Sequence, residues 1–167
     1  MSHVPVWVYV VFFVLLNLGI KRCYTRVSAI ERIAIVPVIF ILLSLHSTIL
    51  YFDFSITVIS LWFVAGITGS LLGYLHVNNR IIRADKNNKL IEIPGDISML
   101  IMLMSIFSIE FFIHHAFDAR LAITQVAIFK NTAIFLNGLV VGTSVGRNLN
   151  YFLKYNNAAS VELIKTK

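Results

Sequence analysis

Glu110, His114 and Asp118 recur at four-residue intervals, and His115 stands beside the second of them. Residues four apart share a helix face, so a carboxylate, an imidazole and a second carboxylate fall in one row, with His115 turned away by about 100°. Such groups move protons or hold divalent metals, and histidine also ligates haem iron. With His46, and with Asp53 and His3 as outlying members, the set His46, Glu110, His114, His115 and Asp118 is expected to line one outward-facing cavity. No spacing among them is a ligand signature such as HExxH, and hydrogen bonding within a bundle is the plainer reading. Divalent metal, haem and simple hydrogen bonding therefore all stay open, and the cofactor is unknown. No catalytic residues are identified, because the chain has neither a Gly-rich phosphate loop nor a nucleophile elbow.

Lys130 is the second charged group within an apolar run. Glu110 and Lys130 each lie ten residues from Arg120, which places them at matching depth, about 15 Å along two helices that meet at Arg120. An intramembrane ion pair is expected. It serves either to lock a helical hairpin without leaving a lone charge in a low-dielectric interior, or as a proton-linked or ligand-binding carboxylate.

The elements that must carry these residues follow from composition. The chain has 167 residues, of which 58% are hydrophobic and 13% charged, with a mean hydropathy of +0.84. A soluble domain has an apolar share nearer one half. Apolar runs over 5–20, 33–50, 56–75, 97–116 and 121–145 are each long enough to cross about 30 Å of hydrocarbon as a helix. The fold class is thus an all-α membrane protein with five transmembrane helices, forming one domain over 1–150 with a short tail over 151–167. The apolar run at the start reaches spanning length and is read as a retained helix, not a cleaved signal.

Basic residues then give the chain sides. Loops 21–32 and 76–96 and the segment after residue 146 carry twelve of the fourteen Lys and Arg residues. Loops rich in Lys and Arg stay cytoplasmic during insertion, so the N-terminus is expected outside and the C-terminus inside the bacterial inner membrane. The net charge of +6 has the same origin and points to anionic lipid heads as partner, not nucleic acid. The single cysteine, Cys23, excludes an intramolecular disulfide.

The loop 76–96 contains two β-prone runs around Asp85 to Asn88, which predicts a short cytoplasmic hairpin, and Asp96 is placed to cap the following helix. Small residues mark packing faces. Gly138, Gly142 and Gly146 drift by only about 40° per step and form one groove, with Asn131 near the same face. Ala65, Gly69 and Gly73 form another. Both are expected to be buried, as bundle contacts or as the seam of a homo-oligomer.

The first helix ending in basic residues, Arg32 before a span with Pro37, the Ala65, Gly66 and Gly69 span, Pro94-Gly95 after the hairpin, and Gly138, Gly142, Gly146 and Arg147 together form a pattern. It resembles a family of small five-helix bacterial inner-membrane proteins, and more distantly CcdC, a membrane protein named for its link to cytochrome c biogenesis genes. That resemblance covers nearly the whole chain. It implies the five-helix fold and no reaction, and it implies a basic residue where this chain has Glu110, a departure that leaves Lys130 as the local partner. Two classes of function follow: a non-enzymatic assembly, scaffolding or interaction module, or a small transporter or metal- or haem-binding protein using the His and carboxylate cavity.

Overall fold

A computed structural model describes residues 6–52 and 55–163. His3, Asp53, Lys165 and Lys167 lie outside the described residues. In chain order the elements are α1 (Val6–Arg22), β1 (Arg26–Ala29), a 3-10 turn (Ile30–Ile33), α2 (Ile35–Tyr51), α3 (Ile56–His76), β2 (Arg83–Asp85), β3 (Leu90–Ile93), α4 (Ile97–Asp118), a second 3-10 turn (Ala122–Gln125) and α5 (Ala127–Asn157). Four helical segments, Ile30–Tyr51, Ile56–His76, Ile97–Asp118 and Ala127–Asn157, are long and apolar enough to cross a membrane. The described part of α1 has 17 residues, about 25 Å at 1.5 Å per residue.

Local signals set these boundaries. Ser55 accepts a hydrogen bond from Val58 N at 3.3 Å and caps α3. Asp96 accepts from Ser98 N at 2.9 Å and caps α4, satisfying a donor that a helix start leaves open. Pro37 sits in the first turn of α2, where its missing N–H costs no intrahelical bond. Two boundaries differ from the apolar pattern. Residues 121–126 form a turn instead of the start of a span, because Arg120 adopts a left-handed φ of 50° and Leu121 N bonds Ala116 O at 3.0 Å. At its other end α5 runs on to Asn157, beyond the end of the apolar run.

The chain forms two compact units, one of the segment up to Thr25 with Gly95–Ala133, the other of Arg26–Pro94 with the segment from Ile134. In the first unit α1 and α4 pack antiparallel. The Phe12 and Phe107 rings lie 5.5 Å apart and Gly19 lies against Leu100. Asp96 N donates to Arg22 O at 3.2 Å, which ties the end of α1 to the start of α4.

In the second unit α3 and α5 run parallel with their backbones in contact. A Cβ on Gly142 would strike the carbonyl of Gly66, and one on Gly146 that of Ser70; one on Gly138 would stand 2.5 Å from Trp62 O. Each pair is offset by the same number of residues. Outside these helices, β1, β3 and β2 form an antiparallel sheet in that order. The hairpin over 76–96 is thus joined by a third strand from the loop 21–32. Val77, Ile91, Ile93 and Tyr151 close its core. Beyond α5 the chain adds to the free edge of β2, with Val161 N donating to Ala84 O at 2.8 Å.

Asp85 holds this edge. Its buried carboxylate accepts from Asn87 N, Asn88 N, Asn88 Nδ2 and, across the chain, Leu163 N, at 2.8 to 3.1 Å. The hydrogen bond from the Asn88 side chain is the largest of the causes that hold the Asp85 pKa below the ordinary carboxylate value.

Two measurements check this account. Gly→Ala inside a helix ordinarily gains about 1 kcal/mol. Gly142→Ala is expected instead to lose roughly 1–3 kcal/mol in reversible unfolding in micelles, because the backbone it strikes cannot rotate away. Gly66→Ala, whose Cβ would meet only Gly138 O at 3.8 Å, is expected to be neutral or stabilising. Equal effects at the two sites would contradict the packing. For Asp85, a lowered folded-state pKa means that its contribution is complete above the unfolded value of about 3.9 and disappears as pH falls through the folded value. Hydrogen exchange at Leu163 N, corrected for intrinsic rate, is expected to show protection that is flat above about pH 5 and lost in acid, and to show none at neutral pH in Asp85→Ala.

Candidate functional site

The polar end of α4 is built on a helix whose apolar residues Met99, Leu103, Ile113 and Ala116 are buried. Glu110 and His114 lie one turn apart on it, and His114 Nε2 stands 3.7 Å from Glu110 Oε2. The Glu110 side chain is 23% exposed and that of His114 41%. The pair sets an imidazole beside a half-buried carboxylate, beyond hydrogen-bond distance but within reach of an ion-pair contact.

The neighbouring candidates are placed differently. His115 belongs to an aromatic ladder: its ring stacks on Phe111 at 6.1 Å and 11°, and Phe111 stacks on Phe107 at 6.2 Å and 12°. Asp118 is the exposed last residue of α4, and His46 is exposed on α2 in the other unit. Among the described residues no group of three or more His, Cys, Asp and Glu side chains is arranged to hold a metal ion. Divalent metals in proteins ordinarily take three or more ligands from the chain. The two donors of Glu110 and His114 do not meet that requirement, so no step through a metal is derived.

Lys130 is half-buried in α5. The depth argument depends on two helices meeting at Arg120, whereas α5 begins only at Ala127. Lys130 then lies about 4.5 Å along its helix and Glu110 about 12 Å from the end of its own.

Sequence reasoning centred on ionisable groups and passed over a column of uncharged ones. Ser44, Ser47 and Thr48 on α2, and Asn137, Ser144 and Asn150 on α5, are all buried. Trp62 Nε1 donates to Ser44 Oγ at 2.9 Å, joining α3 to α2. Asn150 Nδ2 donates to Tyr74 O at 3.1 Å. Lys154 Nζ donates to the carbonyls of Val77, Asn78 and Arg80 at 2.7 to 2.8 Å, placing a cation on the turn that follows α3. A signal for the last two existed. The four-residue repeat Gly138, Gly142, Gly146 continues as Asn150 and Lys154.

Ala65, Gly69 and Gly73 are buried on α3. The α5 glycines Gly138, Gly142 and Gly146 are likewise buried, while Asn131 is exposed. Comparison with family models, curated proteins and solved structures finds no match to this chain.

A double-mutant cycle in micelles tests which partner Glu110 has. Glu110→Gln and His114→Gln are expected to couple by about 0.5 kcal/mol. Stronger coupling of Glu110→Gln with Lys130→Gln would assign Lys130 as the main partner of Glu110.

Proposed function

We propose that this chain is a polytopic protein of the bacterial inner membrane, with five spanning helices, the N-terminus outside and the C-terminus inside, acting as a non-enzymatic assembly or interaction module. The observation that carries the membrane reading is the outward placement of large apolar side chains on long helices. Leu42, Leu43 and Ile49 on α2, Phe63, Ile67 and Leu71 on α3, and Ile101 and Phe112 on α4 are all exposed. Isolated apolar residues are common at a protein surface, but rows of them on successive helices suit hydrocarbon as the solvent. The orientation is supported by the distribution of Lys and Arg. The proposed resemblance to small five-helix inner-membrane proteins agrees with the same reading.

The interaction role is supported by what the polar groups do. Ser44, Trp62, Asn150 and Lys154 are engaged in joining helices within the chain. The sheet, together with the tail that extends it, supplies an ordered surface beside the spans. A second reading, a small proton-linked transporter, is favoured by one observation, the half-buried Glu110–His114 pair inside a long apolar helix.

Cysteine accessibility tests the orientation. In a Cys23→Ser background, Asn88→Cys at the hairpin turn is expected to react with a membrane-impermeant maleimide only in inverted vesicles, and Arg120→Cys only in intact spheroplasts. The reverse pattern would invert the topology, and labelling of both from one side would remove the α4 crossing between them.

A further inference from the structure

We propose that the second unit carries a binding site for one anionic phospholipid, with an acyl chain in the groove between the start of α2 and α5 and the phosphate at Arg32; this deepens the membrane reading above and rests on it. The groove has a volume of about 250 Å³ and is walled by Ile30, Ile33 and Pro37 on one side and Val145, Leu149 and Phe152 on the other. That volume lies below the roughly 300–1,000 Å³ of pockets that enclose a compact ligand. It suits a segment of one hydrocarbon chain. Its lining is apolar apart from Asn148, whose amide already donates to Ser144 O at 2.6 Å.

Charge decides which lipid. Arg32 lies in the 3-10 turn between the two groove-lining residues Ile30 and Ile33, exposed, where the apolar stretch of α2 begins. Among the described residues no acidic side chain is paired with it. The adjacent Glu31 has its carboxylate 3.7 Å from Lys89 Nζ. Arg26 precedes the turn on β1 and adds a second cation to the same stretch of chain. An apolar, acid-free lining with an exposed guanidinium next in sequence to Ile33 matches a chain ending in a phosphate. The planar guanidinium meets phosphate oxygens in a two-point contact, and basic residues at a span end favour anionic lipid.

The test uses the purified full chain in neutral detergent, titrated with phosphatidylglycerol or phosphatidylcholine, with bound lipid counted by native mass spectrometry. One phosphatidylglycerol is expected to be retained, roughly fivefold more tightly than phosphatidylcholine, and Arg32→Gln is expected to bring the two within about twofold. Ala34, which also lines the groove, supplies the second arm. Ala34→Trp fills the groove and is expected to lower retention of both lipids; Leu149→Asn, which makes one wall polar, does the same should the first variant fail to fold. Equal retention of the two lipids by the unaltered chain, or an unchanged preference in Arg32→Gln, overturns the proposal. So does inorganic phosphate binding equally well to the unaltered and groove-filled chains, which would indicate an anion site without a chain site. A second copy of the protein that dissociates on Ala34→Trp would assign the groove to a dimer and overturn it as well. Release of the unaltered protein from membranes by alkaline carbonate would instead remove the membrane reading itself.

Discussion

The close approach of α3 and α5 fixes most of the second unit. Trp62 meets Gly138, Gly66 meets Gly142 and Ser70 meets Gly146 through backbone atoms. The hydrogen bonds from Asn150 to Tyr74 and from Lys154 to Asn78 continue the same separation of 76 residues. A constant separation over more than four turns means that the two helices share one register. Slipping one helix by a turn would put Lys154 out of reach of the carbonyls in the turn after α3 and would move Tyr151 off the sheet core it shares with Val77, Ile91 and Ile93. The tail beyond α5, whose Leu163 reaches Asp85, would move with it. Small residues thus position elements far from where they sit.

The membrane reading proposed above accounts for small and polar groups, and not large apolar ones, at that interface. Between helices in lipid there is no gain from removing apolar surface from water, so association depends on close packing and on hydrogen bonds. The exposed Phe63, Ile67 and Leu71 on α3 and its buried Ala65, Gly69 and Gly73 follow from that rule. The same rule makes the bond from Trp62 to Ser44 useful. In water it would replace two hydrations of similar strength, whereas in hydrocarbon the alternative is an indole N–H without a partner.

What the sequence makes legible is whatever is encoded within a few turns. The apolar stretches of α2, α3 and α4, the Asp96 cap and the hairpin of β2 and β3 each have a local signature. The strand β1 does not. It has four residues, and its pairing partners Leu90 to Ile93 lie more than sixty positions away, so only tertiary contact defines it. Apolarity is a poor guide at both ends of α5. Residues 121–126 are apolar enough to extend a span, yet the left-handed Arg120 turns them out of the helix. At the far end Asn148, Asn150 and Lys154 end the apolar run, but each has a helical partner or a carbonyl to bind, so the helix continues. The candidate site shows the same division. The spacing of Glu110 and His114 reads directly as a contact, and that of Phe107, Phe111 and His115 as a ladder, while any pairing across the turn to Lys130 depends on where α5 begins.

Along α5 one geometrical task passes through three kinds of chemistry. At Gly138, Gly142 and Gly146 the contact with α3 is made by absence of a side chain, which suits hydrocarbon because nothing polar needs solvation. At Asn150 it is made by a neutral amide, which carries a desolvation cost smaller than that of a charge and meets it with the carbonyl of Tyr74. At Lys154 it is made by a full charge, directed at three carbonyls of the turn that follows α3. On the membrane reading proposed above, the order glycine, asparagine, lysine is the one that a rising dielectric along the helix would favour.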